Sequence, residues 1–126
     1  MNQVILLAED DKMIQKLLKR MIKRAGFQGE VEVCEDAESA LAFLDQTKDS
    51  VVLALMDTAL HSESDEAFAL AIQSRVPQIK LVASSGHSES DLRGPNHFGN
   101  IHLDAVLSKP FGMQDVKDLL TMLELT

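Results

Sequence analysis

The chain has 126 residues, 45% of them hydrophobic and 25% charged, with a formal net charge of −8. That is the length and composition of one ordinary globular domain spanning 1–126, which excludes disordered, collagen-like and low-complexity classes. The single Cys34 excludes an internal disulfide framework and a cysteine-ligated zinc site, and the acidic balance argues against direct nucleic-acid binding.

In chain order, Val4-Ile5-Leu6-Leu7-Ala8 is a short, continuous apolar run bounded by acids, the pattern of a strand covered on both faces. A helix follows: Met13, Ile14, Leu17, Leu18, Met21, Ile22 and Ala25 recur on one face, with Asp11 as its N-cap and Gly26 just past its end. Glu30 to Cys34 alternates valines with acids, as an edge strand does, and Cys34 reads there as a small packing residue. Ala40, Leu41, Phe43 and Leu44 mark a second helix. Val51 to Met56 is another continuous run, ending at Asp57. A third helix is predicted from about Asp65 to Ser74, stopped by Pro77. Ile79 to Ala83 is the fourth strand. Ser88 with Asp91 resembles a capping box, but Gly94-Pro95-Asn96 predicts that the fourth helix is short or distorted. Ala105-Val106-Leu107 is the fifth strand, and Val116, Leu119, Leu120 and Leu123 define the last helix.

Alternating strands and helices with right-handed crossovers give a doubly wound α/β sheet with helices on both faces. Ligands in such sheets bind at the carboxyl ends of the strands. There this sequence delivers Glu9, Asp10 and Asp11 after the first strand, Asp57 after the third, Ser84, Ser85 and Gly86 after the fourth, and Ser108, Lys109 and Pro110 after the fifth. Clustered carboxylates repel one another unless a cation joins them, and oxygen-only ligation suits Mg²⁺. Asp57 then has the chemistry of a nucleophile forming an aspartyl phosphate, Lys109 that of a charge partner for the transferred group, and Ser85 that of a hydroxyl binding one of its oxygens.

These motifs, Glu9-Asp10-Asp11, Leu55-Met56-Asp57, Ser85-Gly86 and Lys109-Pro110-Phe111, each after its predicted strand, resemble those of the receiver domain of two-component response regulators, over the whole chain. The resemblance implies a flavodoxin-like five-stranded parallel sheet of order 2-1-3-4-5 and a signalling switch rather than a conventional enzyme. It implies that Asp57 accepts phosphate from a histidine kinase or a histidine phosphotransfer protein. By the same resemblance, Asp10, Asp57 and the carbonyl of Ala59 would ligate Mg²⁺, Glu9 would act on it through water, Ser85 would sense the phosphoryl group, and Lys109 would pair with it. Lys109–Pro110 is expected to be cis. Ser84 competes with Ser85 for the hydroxyl role; the spacing from Pro77 and the small neighbour Gly86 favour Ser85.

The match frays in two places. After Asp57, His61 stands where receivers usually carry Pro, and Ser62-Glu63-Ser64-Asp65-Glu66 has no Gly and two apparently inserted residues. Before Lys109, Val106 replaces the aromatic switch residue. Signalling is therefore expected to rely on the loops after strands three and four, or on another partner surface. The alternative is a degenerate receiver, a protein-interaction module that keeps the fold without using phosphate.

Lys12, Lys16, Lys19, Arg20, Lys23 and Arg24 fall on the polar side of the first helix, which is either a solvated face or a docking face for an acidic phosphodonor. In the family this helix contacts the phosphodonor's helical bundle. The output partner is not specified. His61, His87, His97 and His102 lack metal-ligand spacing and read as surface or loop residues, His87 standing where receivers can tune dephosphorylation. Ala59 occupies the place where aspartyl phosphatases need a second Asp, Glu9-Asp10-Asp11 would repel a flavin phosphate, and no P-loop is present. No apolar run reaches a membrane-spanning length and the N-terminus has no signal-peptide layout, so a cytoplasmic protein without membrane contact is expected.

Overall fold

The continuous apolar runs beginning at Val4, Val51 and Ile79 become strands largely buried on both sides, while Ala105-Val106-Leu107 forms a half-buried edge strand. The computed structural model describes residues 2–47, 49–58, 60 and 64–126. Its elements run β1 (Val4–Ala8), α1 (Lys12–Arg24), β2 (Glu30–Cys34), α2 (Ala37–Gln46), β3 (Val51–Asp57), α3 (Asp65–Arg75), β4 (Lys80–Ser85), α4 (Glu89–Leu92), β5 (Ala105–Ser108) and α5 (Met113–Met122). The sheet has the order β2-β1-β3-β4-β5, with every neighbouring pair parallel. Side chains alternate across it and feed two cores. Leu6, Ala54, Met56 and Leu81 pack with Leu44 of α2 and Ile72 of α3. Ile5, Leu7, Leu53, Leu55 and Val82 pack with Leu18 and Ile22 of α1 and Leu119 and Leu120 of α5. β2 is an edge strand; its valines face inward while Glu30 and Glu32 stay exposed.

The helix ends follow local chemistry. The Asp11 carboxylate accepts hydrogen bonds from the amides of Met13 and Ile14, capping α1. At the other end Gly26 adopts φ +108°, a left-handed conformation open to glycine and costly for other residues. Ser64 caps α3 through the amide of Ala67. α4 is a single four-residue turn capped by Ser88; after it Phe98 and Leu103, both buried, fill the space between sheet and surface. Glycine is required at position 29 because a Cβ there would meet the carbonyl oxygen of Gln3, where β1 and β2 begin to pair. The Lys109–Pro110 peptide is cis, as the resemblance implies.

The apolar stripe read along α1 is wider than the surface it covers. Leu18 and Ile22 are buried, but Met13 is 82% exposed and Leu17 43% exposed. At about 100° per residue the seven apolar positions span roughly half the helix circumference, more than one sheet face can bury, so the edge nearest the N-terminus is left outside. No helix among the described residues is long and apolar enough to cross a membrane.

Burial therefore predicts opposite outcomes for two apolar truncations. Leu81→Ala, in mid-sheet, should cost about 2–5 kcal/mol of unfolding free energy, and Met13→Ala less than about 0.5 kcal/mol. Urea unfolding checks both, and comparable losses would contradict this division of α1.

Candidate functional site

Because all five strands are parallel, the residues that follow β1, β3, β4 and β5 meet at one edge of the sheet. Glu9, Asp10 and Asp57 each bring a carboxylate oxygen to within 4.8 Å of the others. Lys109 reaches the cluster from the end of β5. Its Nζ donates to Asp57 Oδ1 at 2.8 Å and to Glu9 Oε1 at 3.2 Å. Glu9 is only 1% exposed, and its second oxygen accepts a hydrogen bond from the amide of Asp11 at 3.1 Å. Both oxygens are thus engaged and the side chain has a fixed direction.

The electrostatics show the strain of the arrangement. Burial pushes the Glu9 carboxyl above its ordinary 4.5; the Asp11 amide pulls it back, the Asp57 charge pushes it up again, and Lys109 only partly compensates. For Lys109, burial works against the charge, but the hydrogen bond and charge of Asp57, with help from Glu9, outweigh it and hold the ammonium's pKa above 10.5. An all-oxygen set of three carboxylates this close fits Mg²⁺ in donor chemistry, and Glu9, Asp10 and Asp57 are the residues able to hold it. The Ala59 carbonyl expected in the same set lies outside the described residues, as does His61 with most of the acidic stretch after it.

The two serines differ. Ser84 is the register partner of Asp57, and its buried hydroxyl has no hydrogen-bond partner among the described residues. Ser85, equally buried, accepts from Thr58 Oγ1 at 2.9 Å and from the amide of His87 at 3.0 Å. Its carbonyl receives the amide of Lys109 at 2.8 Å. Ser85 thus ties together the loops that follow β3, β4 and β5. Thr58 was not singled out from the sequence, although a hydroxyl directly after Asp57 was visible there. Nor was the pairing of His97 Nδ1 with Asp65 Oδ2 at 2.8 Å, which depends on how the chain folds after α4. His102 is a surface residue, 3.6 Å from Asp104. Val106, at the position of the missing aromatic switch, is half-buried and packs against the core shared with α2 and α3. Cys34 is buried, and burial pushes its thiol up to about 11, which keeps it inert at neutral pH.

A 2-1-3-4-5 sheet with acids and a lysine gathered at its carboxyl edge defines a class, the receiver-type signalling domain. The family model for the response regulator receiver domain matches residues 5–121, and the chain belongs to that family. It is a signalling domain of two-component systems. Solved structures agree in fold. An uncharacterized protein from Neptuniibacter caesariensis is 27% identical, covers 98% of this chain and 88% of its own, and superposes with a TM-score of 0.81. The receiver domain of sensor histidine kinase PA1611 from Pseudomonas aeruginosa, which has a magnesium ion coordinated in its active site cleft, is 18% identical over 98% of this chain and 99% of its own, with a TM-score of 0.80. Chemotaxis protein CheY4 of Vibrio cholerae is 19% identical with both chains fully covered and a TM-score of 0.76. No curated protein sequence matches the chain.

The raised Glu9 pKa fixes the sign of a pH effect. Above pH 4.5 the folded state holds a proton that the unfolded state has released, so stability falls as pH rises through the interval up to the folded pKa. Glu9→Gln, measured by urea unfolding in chelator, should gain stability relative to the parent as the pH is raised to 7. The gain should shrink as the pH is lowered through that interval; a gain independent of pH would contradict the assignment.

Proposed function

We propose that this domain accepts a phosphoryl group on Asp57 from a histidine kinase or a histidine phosphotransfer protein, with Mg²⁺ at the acidic edge, and works as a phosphorylation-dependent switch in a two-component phosphorelay. The observation that carries this reading is the Lys109 ammonium shared between Asp57 and the buried Glu9, with Asp10 in the same cluster. A carboxylate oxygen of Asp57 attacks phosphorus, and the bond from phosphorus to the donor's imidazole nitrogen breaks, its electron pair leaving with that nitrogen. Lys109 balances charge on the transferring oxygens, and the Ser85 hydroxyl, with its own proton free to donate, hydrogen-bonds one of them. Glu9, Asp10, Asp57 and the Ala59 carbonyl would hold Mg²⁺, which when bound neutralises phosphoryl charge. The product carries more negative charge than the carboxylate it replaces, which draws Ser85 and its loop toward Asp57. The chemistry extends no further than self-catalysed phosphotransfer and slow autodephosphorylation. A purely structural module gives no reason to bury Glu9 beside Asp57, an arrangement that works against stability.

The donor docks, in this reading, on α1. Lys12, Lys16, Lys19 and Arg20 are exposed there, and the exposed Met13 and Leu17 lie between the charges. A helical partner with an apolar stripe rimmed by acids complements that face, with opposite charge speeding encounter.

Incubation with acetyl phosphate and Mg²⁺ should add the mass of one phosphoryl group, and either Asp57→Asn or chelation of the metal should abolish the gain; a phosphorylated Asp57→Asn would place the acceptor elsewhere. Separately, reversing charge at Lys16 and Arg20 together should slow transfer from a histidine phosphodonor roughly tenfold or more at low salt. Transfer at the parent's rate under those conditions removes α1 from the docking face.

A further inference from the structure

A run of contacts leads from Ser85 to the start of α3. The amide of His87 donates to Ser85 Oγ at 3.0 Å. The His87 ring packs against the ring of His97, with centroids 4.6 Å apart and planes tilted by 47°. His97 Nδ1 donates to Asp65 Oδ2 at 2.8 Å, with both side chains largely shielded, 21% and 12% exposed. Because its partner is a carboxylate, Nδ1 carries the proton in either charge state of the ring. His97 is itself well anchored: its amide donates to the Gly94 carbonyl, and the next residue, Phe98, is 1% exposed. His87, by contrast, is an exposed loop residue just beyond β4, and the His97 ring packs against its side chain.

We propose that His97 is a positioning residue for the Ser85 hydroxyl: held by Asp65, it packs on His87 and so fixes the amide that keeps Ser85 in its resting place. This rests on the reading of Ser85 as the hydroxyl that meets the phosphoryl group. At rest Ser85 Oγ accepts from both Thr58 and His87. In the proposed switch the Ser85 hydroxyl turns to the phosphoryl group at the expense of these resting bonds, which loosens the loop that His97 packs against. The Asp65–His97–His87 latch belongs to the resting arrangement and therefore opposes the active one; by linkage, whatever weakens the latch strengthens phosphoryl binding. The element this biases is the segment after β4 together with the start of α3, which supplies a route from Asp57 to the surface that does not need an aromatic ring at position 106.

His97→Gln and Asp65→Asn cut the latch from its two sides, so one serves if the other fails to fold. Ser74→Ala, which removes a hydroxyl bonded to the Ala71 carbonyl within α3, is the control. In the resting protein, both latch variants should shift the backbone amide resonances of Ser85 and His87, and the control should leave them in place. With Mg²⁺ present, both should bind beryllofluoride, a phosphoryl mimic followed by ¹⁹F NMR, roughly fivefold more tightly than the parent. Unmoved Ser85 and His87 amides, or mimic affinity equal to or weaker than the parent's, overturns the proposal. If the parent binds no beryllofluoride, the phosphoryl reading fails on its own account, and the amide comparison alone decides whether His97 positions Ser85.

Discussion

Three carboxylates with oxygens within 4.8 Å of one another repel unless a cation lies among them, and the rest of the edge is arranged around that constraint. Lys109 supplies the protein's own cation. It is placed by a parallel topology in which every strand releases its next residue at the same rim. An antiparallel pairing of β1 with β3 would send Glu9 and Asp57 to opposite ends of the sheet. The alternation of strand and helix is thus a condition for the chemistry as well as for the packing: helices on both faces let the strands be continuously apolar, which lets all of them be parallel.

Rigidity and mobility divide along the same rim. Glu9 is held at both oxygens and follows a strand whose five residues are all buried. Ser85 is the last residue of its strand, and its partners, Thr58 and His87, both belong to connecting segments. In the proposed switch a change of charge at Asp57 meets an acidic side held on a buried strand and a hydroxyl side held by connecting segments, and displacement goes to the latter. Val106 is half-buried against the core and β5 carries no ring, so in the proposed switch the displacement travels along backbone and side chains of the segment after β4.

Most of the fold was legible because its signals are local. Continuous runs such as Val51 to Met56 announce strands buried on both faces, Asp11 announces a helix start, and Gly94-Pro95 announces that α4 stops early. The acidic cluster was legible once those strands were placed, since position at a strand end was the only further information needed. Two readings needed the third dimension. Met13 and Leu17 share a helical period with the core residues, and only the width of the surface beneath α1 decides which positions it covers. His97 and Asp65 are separated by 32 positions, and nothing in either local sequence marks the turn that brings them together.

The cost of the acidic edge bears on whether the fold is kept for its own sake. Burial and the Asp57 charge both raise the Glu9 pKa, so at neutral pH the ionised side chain works against folding. A glutamine of the same shape would remove the repulsion with Asp57 and keep one of the two donors that Glu9 accepts from. Selection for stability alone disfavours such a group, and functional sites are where local rules of this kind are broken. The exposed Met13 and Leu17 on α1, set among lysines and an arginine, break another such rule, since apolar side chains gain nothing from water. Both departures find a use in the proposed switch, which binds a cation at one rim and a helical partner beside it.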